Sequence, residues 1–162
     1  MPYHVEHAVR IPATAPVLFE YLDDPARLGA HMGKSSWMMA GARMTYAFDA
    51  AKGRSAGGRI RLSGRMLGLT LSVDEVVTRH EPPFRKAWKT VGTPRLLIMG
   101  NYEMGFEVEP DASASRLRVH ISYELPHGAW WLAGWLLGGL YAHWCVRSMA
   151  NDAARHFSAA AS

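Results

Sequence analysis

Apolar and polar residues alternate with a twofold period through most of this chain; the pattern is interrupted near the start and replaced at the end. Tyr3, Val5, His7, Val9 and Ile11 alternate with His4, Glu6, Ala8 and Arg10, which predicts a half-buried first strand that stops at Pro12. Thr14 is then placed to cap a helix over Ala15–Leu22. Pro16 falls in its first turn, where a missing N–H costs nothing, and Val17, Leu18, Tyr21 and Leu22 form its apolar stripe. Asp24 and Pro25 restart a second short helix, expected to reach Met32. Two short helices in succession close one end of a sheet rather than cross it.

From Gly41 the twofold period returns. Met44, Tyr46 and Phe48 oppose Arg43, Thr45, Ala47 and Asp49 in a second strand, and Ile60 and Leu62 oppose Arg59 and Arg61 in a third, across a Gly- and Ala-rich turn. Gly68 marks a tight turn into a fourth strand carrying Leu71 and Val73. Val76 and Val77 break its phase near Asp74 and Glu75, which reads as a bulge. Arg85–Val91 is a fifth strand. Leu96–Glu109 reads as a long sixth, with Tyr102, Met104, Phe106 and Val108 on one face, and Leu117, Val119, Ile121, Tyr123 and Leu125 define a seventh after a loop over Pro110–Ser115.

The last segment has no twofold period. From Ala129 to Val146 there are eighteen residues without Asp, Glu, Lys or Arg, among them Trp130, Trp131, Trp135 and Trp144. Length alone would nominate a membrane span. The helix continues into Arg147, Asn151, Asp152 and Arg155, however, and the strands before it each leave an apolar face to be covered, so it is expected to lie on the sheet. At 100° per residue, Trp131, Trp135, Gly139, Ala142, Val146, Met149, Ala153 and Phe157 make the stripe expected to face the protein. Trp130, Leu137, Leu140, Tyr141 and Trp144 fall on the other side. They are expected to form an outer apolar patch that meets a second copy of the chain or a membrane surface. Gly134, Gly138 and Ala142 form a ridge of small residues suited to close packing of the helix on its own sheet.

The pattern as a whole predicts an α+β fold: a curved seven-stranded antiparallel sheet around a long C-terminal helix, with two short helices after strand one. The 162 residues suit one domain with a real core. The single Cys145 excludes an internal disulfide and any multi-cysteine metal site. A net charge of +4 permits contact with nucleic acid or anionic lipid without requiring either. Lys52, Arg54, Arg59, Arg61 and Arg65 on the second hairpin are not interleaved with aromatics in the manner of a nucleic-acid surface, so no nucleic acid is expected. MPYHVEHAVRIP is not a signal peptide, and a cytoplasmic location is expected.

The run Val9-Arg10-Ile11-Pro12-Ala13 leads into Val17-Leu18-Phe19-Glu20-Tyr21-Leu22-Asp23-Asp24. Further on, Val73-Asp74-Glu75-Val76-Val77 leads through Pro82-Pro83 to Arg85 and Trp88, and the long helix closes the chain. In these features the chain resembles the START/Bet-v-like helix-grip superfamily, also called SRPBCC, and within it the polyketide cyclase/dehydrase-like members. The resemblance spans nearly the whole chain. It implies a cavity between sheet and helix and a hydrophobic ligand, but no particular catalytic residue. Many relatives place an aromatic residue just after the second helix, where this chain has His31-Met32-Gly33 and, only later, Trp37.

No nucleophile elbow, phosphate loop, dinucleotide fingerprint or metal-ligand spacing occurs, so neither a metal nor another cofactor is expected. The leading expectation is a protein that binds or transports a small hydrophobic or aromatic molecule or lipid, with Tyr46, Phe48, Leu62, Met66, Trp88, Tyr102, Met104, Tyr123, Trp135, Gly139 and His143 lining its cavity. Lys86, on the same strand face as Trp88, is expected to snorkel to the rim. Two alternatives stand beside this one. The first is a polyketide cyclase/aromatase or dehydratase-like enzyme, for which His7, Tyr102, Tyr123 and His143 are the available proton-transfer groups. The second is a membrane-associated lipid chaperone using the outer patch of the last helix.

Overall fold

The computed structural model describes residues 2–30, 43–66 and 68–160. The expected continuation of the second helix beyond residue 30, the His31–Trp37 stretch and Gly41 lie outside the described residues.

Seven strands form one antiparallel sheet: β1 (Tyr3–Ile11), β2 (Arg43–Phe48), β3 (Arg59–Met66), β4 (Leu69–Glu81), β5 (Arg85–Arg95), β6 (Tyr102–Asp111) and β7 (Ala114–Tyr123). Their order across the sheet is β1-β7-β6-β5-β4-β3-β2. Consecutive strands from β2 to β7 are hairpin neighbours, whereas β1 pairs with β7. The chain therefore leaves the sheet at one edge after β1 and re-enters at the opposite edge as β2. Between them lie the helices α1 (Ala15–Leu22) and α2 (Pro25–Leu28). Asp24 caps α2 by accepting from the Ala26 N–H at 3.0 Å, while Thr14 occupies the N-cap of α1 without a side-chain bond. A short 3-10 turn, Gly128–Trp130, leads into the long helix α3 (Trp131–Ala160), which packs chiefly on β1 and β7.

Alternating burial follows the alternating sequence. Ile11, Leu62, Phe106, Val108, Leu117, Val119 and Ile121 point inward and are almost inaccessible, as are Leu18 and Leu22 from α1 and Ala142, Val146 and Ala150 from α3. Three sequence expectations need correction. First, Leu96–Asn101 is not strand. The Gly100 N–H donates to the Glu124 carbonyl at 2.9 Å, and a Cβ on Gly100 would stand 2.9 Å from the Leu125 carbonyl oxygen, so the backbone turns over the end of β7. Second, the β6–β7 connection is only Ala112–Ser113, since Asp111 still pairs with Ala114. Third, β4 keeps its alternation through Leu71, Val73, Glu75 and Val77, all buried, so the phase does not break at Glu75. The expected irregularity near Asp74 is present as a register shift in the β5 pairing, between Ser72 and Asp74, and a second lies between Val77 and Arg79. The carboxyl of Glu75 is consequently turned into the protein.

The sheet-facing stripe of α3 also differs from the expected one in its first half. Ala142, Val146, Met149 and Ala153 are buried as expected, but ahead of them the buried residues are Gly134 and Gly138, not Trp131 and Trp135. A Cβ at Gly134 would lie 2.3 Å from Pro126 Cδ. One at Gly138 would lie 3.1 Å from the Ile98 carbonyl oxygen and 3.2 Å from Tyr123 Cε2. Only glycine lets the helix approach this narrow seam, and the two tryptophans, outside it, are 54% and 58% exposed. The small-residue ridge is thus a contact of the helix with its own fold.

Candidate functional site

A cavity opens between α3 and the sheet half built from β2 to β6, where the helix does not cover the strands. It offers about 120 Å³ to water-sized molecules. This is somewhat less than the roughly 150 Å³ of an apolar cavity that takes benzene, which limits a guest to about one ring. Its wall is made of alternate residues from each strand: Met44 and Tyr46 from β2, Ile60, Leu62 and Met66 from β3, Leu71, Val73 and Glu75 from β4, Trp88 from β5, and Tyr102 and Met104 from β6. Tyr141, Cys145 and Met149 close it from α3. Leu28 and Gly29 bound it beside α2, and Leu96–Met99 bound it from the loop between β5 and β6.

Of the expected lining residues, Tyr46, Leu62, Met66, Trp88, Tyr102 and Met104 meet around this cavity. Five others do not. Phe48 ends the edge strand β2, where it stacks on Tyr46 with ring centroids 5.7 Å apart and is 37% exposed. Tyr123 is buried away from the cavity, stacked on Tyr3 and filling the space that Gly138 and Gly139 leave under the helix. Trp135 and His143 point outward, and Gly139 is half-buried beside the Tyr123 hydroxyl. The cause is the same glycine seam. It sets the helix so that Tyr141 and Cys145, rather than Trp135 and His143, look into the cavity. His7 sits half-buried on β1 and lines no part of it. Tyr141 therefore leaves the expected outer patch, and Trp144 is half-buried. The exposed large apolar side chains at the front of the helix are Trp130, Trp131, Leu132, Trp135, Leu136, Leu137 and Leu140.

Of the polar groups of the cavity, Tyr46 and Tyr102 were expected there from the sequence, whereas Glu75, Tyr141 and Cys145 were not. Glu75 is 5% exposed and accepts hydrogen bonds from the Tyr102 hydroxyl and the Trp88 indole. Burial raises its pKa to about 7, outweighing the two donors, and no cation among the described residues contributes. Burial likewise raises the pKa of Tyr46, Tyr102 and Tyr141, so these phenols stay neutral. The Tyr46 hydroxyl donates to the Gly29 carbonyl at 3.2 Å, and that of Tyr141 bonds the Cys145 thiol, which burial pushes up to about 12. A thiol so placed is a small hydrophobe with no nucleophilic character. The one signal for Glu75 was its place on the inward phase of Leu71, Val73 and Val77.

Lys86 also reaches the cavity wall, but it does not snorkel. It is 2% exposed, and its Nζ donates to the Asp23 carboxylate at 2.6 Å and to the Asp23 carbonyl at 2.9 Å. His80 Nε2 lies 3.0 Å from the same carboxylate. Burial lowers the Lys86 pKa, opposed by the bond to Asp23. This cluster ties the end of α1 to β4 and β5. Among the described residues no group of His, Cys, Asp or Glu could hold a metal ion, and no helix is long and apolar enough to cross a membrane.

A curved antiparallel sheet gripping a long helix, with an apolar cavity between them, defines a helix-grip protein. The chain belongs to the family described as polyketide cyclase/dehydrase and lipid transport, whose model matches residues 2–160. In architecture it is similar to a Thermus thermophilus protein (17% identity, TM-score 0.69, covering 99% of this chain and 100% of that one). It is also similar to the Zhui aromatase/cyclase from Streptomyces (15% identity, TM-score 0.70, 98% and 94% covered) and to norcoclaurine synthase from Thalictrum flavum (13% identity, TM-score 0.66, 96% and 92% covered). At these identities the likeness is one of fold. No curated protein matches the chain in sequence.

Proposed function

We propose that this protein binds a small, predominantly apolar, ring-sized molecule in the cavity between β2–β6 and α3, and acts as its carrier. The observation that carries this reading is the composition of the wall. Leucine, isoleucine, valine, methionine and aromatic side chains from β2 to β7 converge on a space the helix leaves open, with Glu75 and Lys86 the only carboxyl and amine on it among the described residues. Burial of apolar ligand surface contributes about 25 cal/mol per Å², so shape and apolar area suffice for binding.

Native mass spectrometry of the purified protein, followed by solvent extraction, tests the reading directly. The expected result is a retained small molecule that Val73→Trp, which fills the cavity, no longer carries. A bare-chain mass, together with no shift in Tm on adding neutral aromatic probes such as propylbenzene, would sink it.

A second reading, a cyclase/aromatase or dehydratase-like enzyme, is favoured by Glu75. A carboxyl titrating near 7 beside a phenol is suited to proton transfer at neutral pH. Turnover of the extracted molecule that disappears in Glu75→Gln while binding persists would select it.

A further inference from the structure

Among the described residues, the carboxyl on the cavity wall has no counter-charge. Glu75 is buried, and its bonds come from two neutral donors, Tyr102 and Trp88. The ammonium that shares the cavity, Lys86, is committed to Asp23. It lies on the neighbouring strand β5, where it pairs with His80, four residues before Thr90, the partner of Glu75. A carboxyl in such surroundings either stays protonated or takes a cation, because an isolated buried charge is costly. The side chains beside it are aromatic. Tyr46 and Tyr102 each couple electrostatically to Glu75, Tyr141 couples to both phenols, and Trp88 completes the group. Aromatic rings around a carboxylate are the surroundings that favour an ammonium ion, which gains from the ring faces and the negative charge together.

We propose that Glu75, with the rings of Tyr46, Trp88, Tyr102 and Tyr141, is the anchoring pole for a ligand that joins a ring-sized apolar body to one basic nitrogen. This rests on the reading of the cavity as a binding site and narrows its ligand to protonated amines. The apolar wall formed by Leu62 and Met104 takes the body of the ligand, and the ammonium replaces the proton that Glu75 otherwise holds. Exchange of that proton for the ligand's charge makes amine binding strengthen as pH rises through 7. Among the described residues the other titratable groups facing Glu75, Tyr46 on β2, Tyr102 on β6 and Tyr141 and Cys145 on α3, are all shifted upward by burial. Trp88 and Thr90 on β5 carry no charge.

The test uses two probes of one shape, phenethylamine and propylbenzene, with the full chain and with Glu75→Gln, by calorimetry at pH 6 and pH 8. Wild type is expected to prefer the amine by about tenfold or more at pH 8, the equivalent of one modest ion pair, and by clearly less at pH 6. Glu75→Gln is expected to lose that preference while its affinity for propylbenzene stays within about threefold, which also reports that it has folded. If propylbenzene binds wild type but the amine gains nothing, or if the preference persists in Glu75→Gln, the proposal is overturned and the cavity reading stands. If neither probe binds wild type, both fall. Should Glu75→Gln not fold, the wild-type pH profile decides alone: a preference equal at pH 6 and pH 8 refutes the anchoring role.

Discussion

Replacing Glu75 by Gln should stabilise this protein at neutral pH, and the size of the gain follows from where the carboxyl sits. Its ordinary value of 4.5 is raised to about 7 in the fold, chiefly by burial. Between those two values the unfolded chain has lost the proton and the native protein still holds it. The native state therefore binds more protons, and stability falls as pH rises across that window. At about 1.4 kcal/mol per pH unit, the penalty reaches about 3 kcal/mol by pH 8. Below pH 4.5 it vanishes. Glutamine keeps the shape and an acceptor for Tyr102 without the charge, so urea denaturation should give nearly equal stabilities for the two proteins at pH 4.5. The variant should gain progressively to about 3 kcal/mol at pH 8. His120, whose pKa burial lowers, adds a slope of its own in the same region. That slope is common to both proteins and cancels in their difference. A difference that stays flat within about 0.5 kcal/mol from pH 4.5 to pH 8 would refute the claim that this carboxyl is buried without a cation.

Three further outcomes are expected. Lys86→Met strands the Asp23 carboxylate, and breaking so buried a pair should cost about 3 kcal/mol in urea denaturation; a loss below about 1 kcal/mol would mean that the ion pair is no better than a surface one. Gly139→Ala meets nothing nearer than the Tyr123 hydroxyl at 3.6 Å, whereas Gly134→Ala meets Pro126 at 2.3 Å. The first should therefore raise Tm, through a propensity gain of up to about 1 kcal/mol, and the second should lower it; equal shifts would contradict the glycine seam. Cys145, its thiol pushed up to about 12 and buried, should resist Ellman's reagent at pH 8 in the native protein and react at once in denaturant.

What the sequence determined by itself was whatever depends on local periodicity. Twofold alternation places the first strand at its observed bounds, Tyr3–Ile11, and the second to within a residue of its observed end at Phe48, and the turn residues Asp24, Pro25 and Gly68 place breaks where the chain breaks. Alternation also told which face of each strand points inward. That is why Tyr46, Leu62, Met66, Trp88, Tyr102 and Met104, all on inward phases, meet around one cavity. Tertiary structure decided the rest, for two physical reasons. An apolar helix front carries no polar face to orient it, so its rotation was set by backbone approach at Gly134 and Gly138, which exposes Trp135 and turns Tyr141 and Cys145 inward. A charged residue inside an alternating run reads as a break in the run, because burial of charge is costly. Glu75 and Lys86 are buried all the same, since Tyr102 and Trp88 satisfy the first and Asp23 the second, and those partners come from β6, β5 and the end of α1, far away along the chain.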